Sequence, residues 1–380
     1  MALQLTAEDL PDLGRGAAFL GTGGGGNPYV GRLMVELAMK ETGRDLVLMD
    51  LDDLPDDALV IPTAMMGAPT CIVEKLPQGM EAAASLRRLE QHLGKTATAT
   101  MPIEAGGVNS MIPLVVALRL GIPVVDADGM GRAFPELFHE TFHIYGVSGT
   151  PMVVSNDHGD QTLIDSHDNY MAEWLARGIT IRMGGVAYIA EYAMDGATAK
   201  RVSIGGTIGV GLKVGRAIRF ARENHIDPFQ HLIDTLAETT YSPAKVIFTG
   251  KITEVFRRTA DGFAKGQIKI QEIGASNGDG ETLEIDFQNE NLIARTKNGV
   301  LAVVPDLICI LDSETAEPIT TEELRYGQRV KVMVVSVPPI MRTPAALKVW
   351  GPRHFGFDMD YVPMEGAAPL SSLRPDLLES

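Results

Sequence analysis

The hydrophobic pattern changes period once along the chain, near residue 244. Before that point short apolar runs alternate with amphipathic stretches. DLVLMDL at 45–51, ALVIPTAMMG at 58–67, TATMPIEAGG at 98–107 and IPVVDADGMG at 122–131 read as strands, and 7–20, 29–42, 79–94 and 109–120 read as helices. After it, KVIFTGKITEVF, GQIKIQEI, ETLEIDFQ, NLIART, LAVVPDLICILD and RVKVMVVSV follow one another between turn signals such as ASNGDGE. Such a chain is expected to be α/β: a mostly parallel N-terminal sheet with flanking helices, then a β-rich C-terminal domain. Its 380 residues suit two domains. The expected boundaries are 1–165 for the first, 166–365 for a second with helices before its β-rich module, and a tail at 366–380. Between the halves, PMVVSND and QTLIDS read as a hairpin around HGD, followed by a helix near 168–177 and a strand at 179–184. Asp227 before Pro228 is a helix cap.

The formal net charge is −16, from 33 basic and 49 acidic residues. That disfavours a nucleic-acid partner, which needs clustered Lys and Arg. Apolar runs fall short of the roughly 18 residues that span a bilayer, and MALQLTAEDLPDLG lacks a basic region followed by an apolar one. The expectation is a cytoplasmic protein with no membrane partner. The two cysteines, Cys71 and Cys309, lie in apolar surroundings without a CxxC, so neither a disulfide framework nor a cysteine zinc cage is expected. Cys309, in DLICIL, reads as a buried inert thiol.

Gly21, Gly23 and Gly26 formally satisfy GxGxxG, and Asp50 follows at the end of the next strand, where a dinucleotide fold places its ribose acid. The residues before Gly21 look helical, however, so no nucleotide is expected. The run Gly23, Gly24 and Gly25 reads instead as a tight turn that lets the backbone approach a substrate or an anion. Neither a P-loop nor a GxSxG elbow occurs.

Ligands of open α/β sheets gather at the carboxyl ends of strands. Three polar, glycine-rich loops lie there, at 65–74, 104–109 and 126–136. They carry Glu74, Glu104, Asn109, Asp126, Asp128, Arg132 and Glu136. Carboxylates grouped this way can hold a metal or act as general acid and base. The alternative is that each caps a helix or pairs with Arg132.

FPELFHETFHIYG contains His139-Glu140-Thr141-Phe142-His143, a literal HExxH. On a long helix it would present two imidazoles to one zinc. Pro135 precedes it and FHIYGV looks like a strand, so a metalloprotease is rejected. His143 is kept as a candidate metal ligand, with His139 second. His158, His167 and His354 are further candidates.

In this order, GTGGGGNP, MMGAPTCIVEKLPQG, IEAGGVN, PVVDADGMGRAFPE and GPRHFGFDMDYVP make the chain resemble the S-methyl thiohydantoin desulfurase family, also called DUF917, over nearly its whole length. Members of that family often accompany hydantoinase and oxoprolinase-type proteins. The resemblance implies hydrolysis of an S-methylated thiohydantoin, a small cyclic amide, to a hydantoin and methanethiol. That reaction needs an activated water, stabilisation of a tetrahedral adduct, and an acid for ring nitrogen or leaving sulfur. A divalent metal, zinc by preference, would lower the water's pKa. On this reading Glu74, Glu104, Asp126 and Asp128 line the site. Asn109 orients substrate, and Arg132 positions a carboxylate or pairs with Glu136. A homo-oligomer is expected. The competing expectations are a hydantoinase or oxoprolinase-type amide hydrolase and a non-catalytic partner subunit of such a complex.

Overall fold

The computed structural model describes residues 3–67, 71, 75, 77–260, 263–274 and 280–378. Its first half carries the strands β1 (Leu3–Leu5), β2 (Leu46–Asp50), β3 (Leu59–Val60), β4 (Thr63–Gly67), β5 (Val124–Asp128), β6 (Met152–Ser155), β7 (Gln161–Ile164), β8 (Val186–Ala190), β9 (Met194–Asp195) and β10 (Ile204–Gly205). Two four-stranded sheets form among the described residues, ordered β1-β2-β5-β10 and β4-β8-β6-β7. Parallel bridges link them: Thr100 to Val124, Ala99 to Val60 and Pro102 to Thr63. The extended segment 99–102 thus lies between β5 and the β3–β4 stretch. The parallel core is narrow: β2 with β5, then this segment, then β3 and β4. Every other strand of the two sheets pairs antiparallel.

At the join backbone bonds run from Ile61 N to the Ala99 carbonyl at 3.2 Å, from Thr63 N to the Met101 carbonyl at 3.1 Å and from Val125 N to the Thr100 carbonyl at 2.9 Å, and hydroxyls add to them. Thr100 Oγ1 donates to the Ile61 carbonyl at 2.8 Å and lies 3.0 Å from Thr63 Oγ1. Strands β8 and β10 come from beyond residue 166 and still complete these sheets.

Helices cover both faces. Leu10–Leu20 crosses Thr207–Glu223 where glycines remove the side chains between them. A Cβ at Gly16 would overlap the Gly211 carbonyl oxygen, and one at Gly215 the Asp12 carbonyl oxygen. Alanine in a free helix is favoured over glycine by roughly 1 kcal/mol, so the sign of a substitution is diagnostic. Gly215→Ala is expected to lower stability by about 1–3 kcal/mol through overpacking, read as a fall in melting temperature. An unchanged or raised melting temperature would mean the helices separate without cost.

Two local expectations are corrected. The helix Asn169–Arg182 runs on through the segment expected as a strand at 179–184, and the strand comes after it, as β8. Ile179, Thr180 and Ile181 have strand propensity, but Ile179 packs on the core and Thr180 is buried at helical spacing. The helix stops at Gly184 and Gly185, whose φ of +97° and +86° no L side chain adopts readily. Likewise FHIYGV is no strand: Thr141–Ile144 forms one helical turn. Asp227 caps its helix as expected, its carboxylate accepting from Phe229 N at 2.9 Å.

The β-rich module comprises β11 (Ala244–Ala260), β12 (Phe263–Glu272), β13 (Thr282–Gln288), β14 (Glu290–Thr296), β15 (Gly299–Val303), β16 (Leu307–Asp312) and β17 (Arg329–Val335). These described strands form one antiparallel sheet, ordered β15-β14-β13-β12-β11-β17-β16. It curls until β14 and β15 pack against β16. The period-2 alternation of strands explains the unbroken apolar run LICIL. Ile308 and Ile310 fill the inside of the curl, while Leu307, Cys309 and Leu311 face out into the core shared with Phe19 and Leu20. Cys309 is buried there, its thiol donating to the Phe19 carbonyl at 3.3 Å, and burial pushes its pKa up. It is the inert thiol expected. Among the described residues no helix is long and apolar enough to cross a membrane.

Candidate functional site

The segment after β5 forms a turn rather than a long helix. In Phe134-Pro135-Glu136-Leu137-Phe138-His139, His139 N donates to the Glu136 carbonyl at 3.0 Å. That i→i+3 bond brings the two side chains to one side, with Glu136 Oε2 3.6 Å from His139 Nε2. A third group arrives from the far end of the chain. His354 stands in the turn following the helix Pro344–Trp350, its N–H donating to the Gly351 carbonyl at 3.0 Å. Arg353 clamps that turn through Asp358 and Asp360 at 2.8 and 2.7 Å. His354 Nε2 lies 2.9 Å from His139 Nε2 and 3.7 Å from Glu136 Oε2.

Glu136, His139 and His354 could therefore hold a metal ion. Three edges of 2.9, 3.6 and 3.7 Å bracket the ~3.3 Å edge of a tetrahedron with ligand bonds of about 2.0–2.1 Å. Two imidazoles and one carboxylate leave a fourth position open, which is the composition of hydrolytic zinc centres. His139 is fully buried, with Phe138 and Phe355 against its ring at 4.6 and 5.5 Å. Burial, with His354 and His143 nearby, holds its pKa well below the usual imidazole value, so it is the neutral base a ligand must be. One feature departs from the common pattern: His139 Nδ1 is buried with no hydrogen-bond partner among the described residues, where a metal-bound histidine normally donates to an acceptor.

His143, the stronger candidate from the sequence, stands outside this group. Its Nδ1 lies 2.9 Å from Asn169 Nδ2, and its ring packs edge-on to Tyr170. His139 sits in the turn before the helical stretch, so the two histidines do not share a long helix face.

Beside the trio lies a small pocket of about 40 Å³, which Glu136 borders together with Glu104, Asn109, Gly25, Arg177 and Glu290. Glu104 is buried; it accepts from Asn109 Nδ2 at 2.7 Å and from Phe134 N at 3.2 Å. Burial outweighs these bonds and pushes its carboxyl up to about 8. Asn109 is fixed in turn by Met65, whose N–H it accepts at 2.7 Å and whose carbonyl it donates to at 3.0 Å. Glu104 and Asn109, singled out separately in the sequence, form one hydrogen-bonded unit.

The other expected residues divide by position. Asp128 is fully buried; its Oδ2 accepts from the N–H groups of Ala105, Met130 and Gly131, and burial raises its pKa to about 7. It shapes the loop that carries Glu104. Asp126 accepts from Ile208 and Gly209 N at 2.8 and 3.1 Å and caps the helix Thr207–Glu223. Arg132 is fully buried and donates to the carbonyls of Ala133, Asn291, Pro305 and Asp306, joining the two halves of the chain. It makes no pair with Glu136 and stacks 4.8 Å over Phe134, which stacks in turn on Trp350 at 4.9 Å. Glu74 lies outside the described residues.

The glycine turn approaches a side chain of the protein itself. A Cβ at Gly24 would overlap Glu290 Oε1, and Gly23 abuts Asn291. Gly25 (φ +70°) hands its carbonyl to Val108 N at 2.8 Å and borders the pocket. Glu290 was missed in the sequence, where it is one polar residue at the start of a strand. Glu191 was missed too, and Glu140 was noticed only as the Glu of the HExxH motif and set aside with it. Both are buried, and burial raises both pKa values well above normal, with Glu191 adding to the rise at Glu140 and Glu173 to the rise at Glu191.

A larger groove of about 970 Å³ opens against the same place, and Glu136 and Arg177 line both spaces.

A helix-flanked mixed sheet joined to a curled antiparallel module, with a two-histidine, one-carboxylate group that could hold a metal beside the buried Glu104 carboxyl, defines a mixed α/β protein with a candidate metal site. The family models S-Me-THD-like, N-terminal domain, and S-Me-THD-like, C-terminal domain, match residues 8–166 and 167–364. The chain belongs to the S-Me-THD-like family. A crystal structure of a protein from Chromobacterium violaceum shares the fold, with a TM-score of 0.77 and 23% identity over 95% of this chain and 99% of that one. No curated protein matches the sequence.

Proposed function

We propose that the protein hydrolyses the C–S bond of an S-methyl thiohydantoin-type ring, giving a hydantoin and methanethiol. The observation that carries this reading is that Glu104 and Glu136 border one pocket: a carboxyl that keeps its proton at neutral pH faces a carboxylate of the candidate metal group. A divalent ion such as zinc, held by Glu136, His139 and His354, would lower the pKa of a water and so supply the nucleophile. The inner pocket, at about 40 Å³, has room for water but not for the ring. The ring therefore lies at the junction with the groove, its reactive carbon turned toward Glu136.

Water oxygen adds to the carbon bearing sulfur; one of its protons passes to the ring nitrogen as C=N becomes C–NH, and the other leaves as the carbonyl forms and restores Glu104 after it has protonated the sulfur. The C–S bond breaks, and methanethiolate takes a proton from Glu104. The ring carbon keeps the oxygen as a carbonyl, so water and the S-methyl ring become hydantoin and methanethiol. Asn109 holds Glu104 in place for that transfer. Family membership supports the substrate class.

The test joins metal analysis of the purified protein to a thiol-release assay on S-methyl thiohydantoins. About one divalent ion per chain with chelator-sensitive thiol release is expected. Ring opening without thiol would favour an amide hydrolase. Neither activity, with co-purification of a hydantoinase-type enzyme, would favour a partner subunit.

A further inference from the structure

The outer groove is far larger than a five-membered ring requires, at about 970 Å³. The helix Asn169–Arg182 forms one wall. Tyr170, Trp174 and Ile181 recur on one helical face and are 51%, 71% and 53% exposed. Phe138 and Phe263 also line the groove, Phe138 packing 4.6 Å from Tyr170 on one side and 4.6 Å from His139 on the other. Exposed aromatic groups gathered in one concavity mark a binding surface.

Its position selects the occupant. Glu136 and Arg177 line both this groove and the inner pocket. A ring placed with its reactive carbon at Glu136 must send its substituent along the wall of Tyr170 and Trp174. Arg177 offers no free charge on that path, because it is paired with Glu173 at 2.7 Å and its guanidinium lies 4.8 Å over the Phe263 ring; the groove's lining is mainly apolar, with Asn156, Asp160, Thr162 and Arg182 also on it.

We infer that the groove takes an aromatic or bulky apolar substituent on the substrate ring, with Trp174 and Tyr170 as the residues that set this specificity. The inference rests on the ring chemistry proposed above and narrows it to substrates with a large hydrophobic side chain.

Trp174 reports on its own test, since the other tryptophan, Trp350, is fully buried. The full-length protein is titrated with 5-benzylhydantoin and with unsubstituted hydantoin while tryptophan emission and acrylamide quenching are followed. The benzyl compound is expected to shift the emission to the blue, shield it from acrylamide, and bind about ten- to a hundredfold tighter, the ratio that burying a phenylalanine-sized group supplies. Trp174→Phe should remove the signal, and Trp174→Ala should erase most of the preference when binding is measured by calorimetry. Equal affinity for the two compounds would overturn the inference. So would shielding of Trp174 in the free protein that grows with protein concentration, because a second copy would then cover the groove. The two readings fail separately. Absence of methanethiol with the preference intact removes the reaction and leaves the groove, whereas methanethiol release with equal affinities removes only the groove.

Discussion

His354→Ala is expected to empty the candidate metal site and lower kcat/KM by about a thousandfold, the cost of losing several kcal/mol of charge stabilisation in the transition state. The variant is informative because His354 is partly exposed: its side chain is 26% accessible, against 0% for His139. Truncating it leaves no sealed cavity, and the metal-free fold should lose no more than about 0.5 kcal/mol. Truncating His139 would hollow out the aromatic cluster of Phe138 and Phe355 and confuse binding with stability. The measurement is metal content by mass spectrometry together with melting curves with and without chelator. In the unaltered protein chelation should lower the melting temperature, since the ion binds only the folded state. In His354→Ala it should change nothing. A variant that keeps one ion per chain would show that Glu136, His139 and His354 are not the ligands.

Glu104→Gln is the second variant with a large effect. It keeps the shape and the Asn109 contact and removes the proton that Glu104 donates. A fall in kcat of about 10²–10⁴ is expected, the usual range for general acid catalysis. The pH profile carries the assignment. With a carboxyl near 8, activity of the unaltered protein should fall as pH rises through that value, and this limb should vanish in Glu104→Gln.

Stability follows the same protons. Folding raises Glu104 to about 8 and Asp128 to about 7, so across the neutral range the folded chain binds more protons than the unfolded one. The stabilisation is complete at pH values below the ordinary carboxylate range and is lost as pH climbs through 7 and 8, at up to roughly 1.4 kcal/mol per pH unit for each group. Melting temperature should therefore decline from pH 6 to pH 9, less steeply in Glu104→Gln. A melting temperature that rises across this interval would mean that both carboxyls are ionised in the folded protein.

What the sequence disclosed follows from what kind of signal each feature leaves. The change of period near residue 244 marks the β-rich module because alternation is a local property of a strand. Glu104, Asn109 and Gly25 were legible because strand ends and glycine turns mark themselves within a few residues. The candidate metal group was half legible. His139 drew notice through HETFH, but so did His143, and a spacing of four cannot tell a helix face from a turn followed by a helix. His354 entered only as one of several scattered histidines, because its partner lies 215 residues away. Glu290 left no signal, since its role comes from the curl of the β module against the glycine turn. Asp126 and Asp128, two residues apart, looked equivalent; backbone N–H groups from different elements claim each of them for structure.

The distance in sequence between His139 and His354 also sets an order of events during synthesis. A ribosome releases the Glu136 and His139 turn long before the segment bearing His354. The half-made chain offers an ion two ligands and no closed pocket. An ion at this candidate site would be held only after the Arg353 turn has folded back onto the first half, so any metal would enter as one of the last acts of the chain's own assembly.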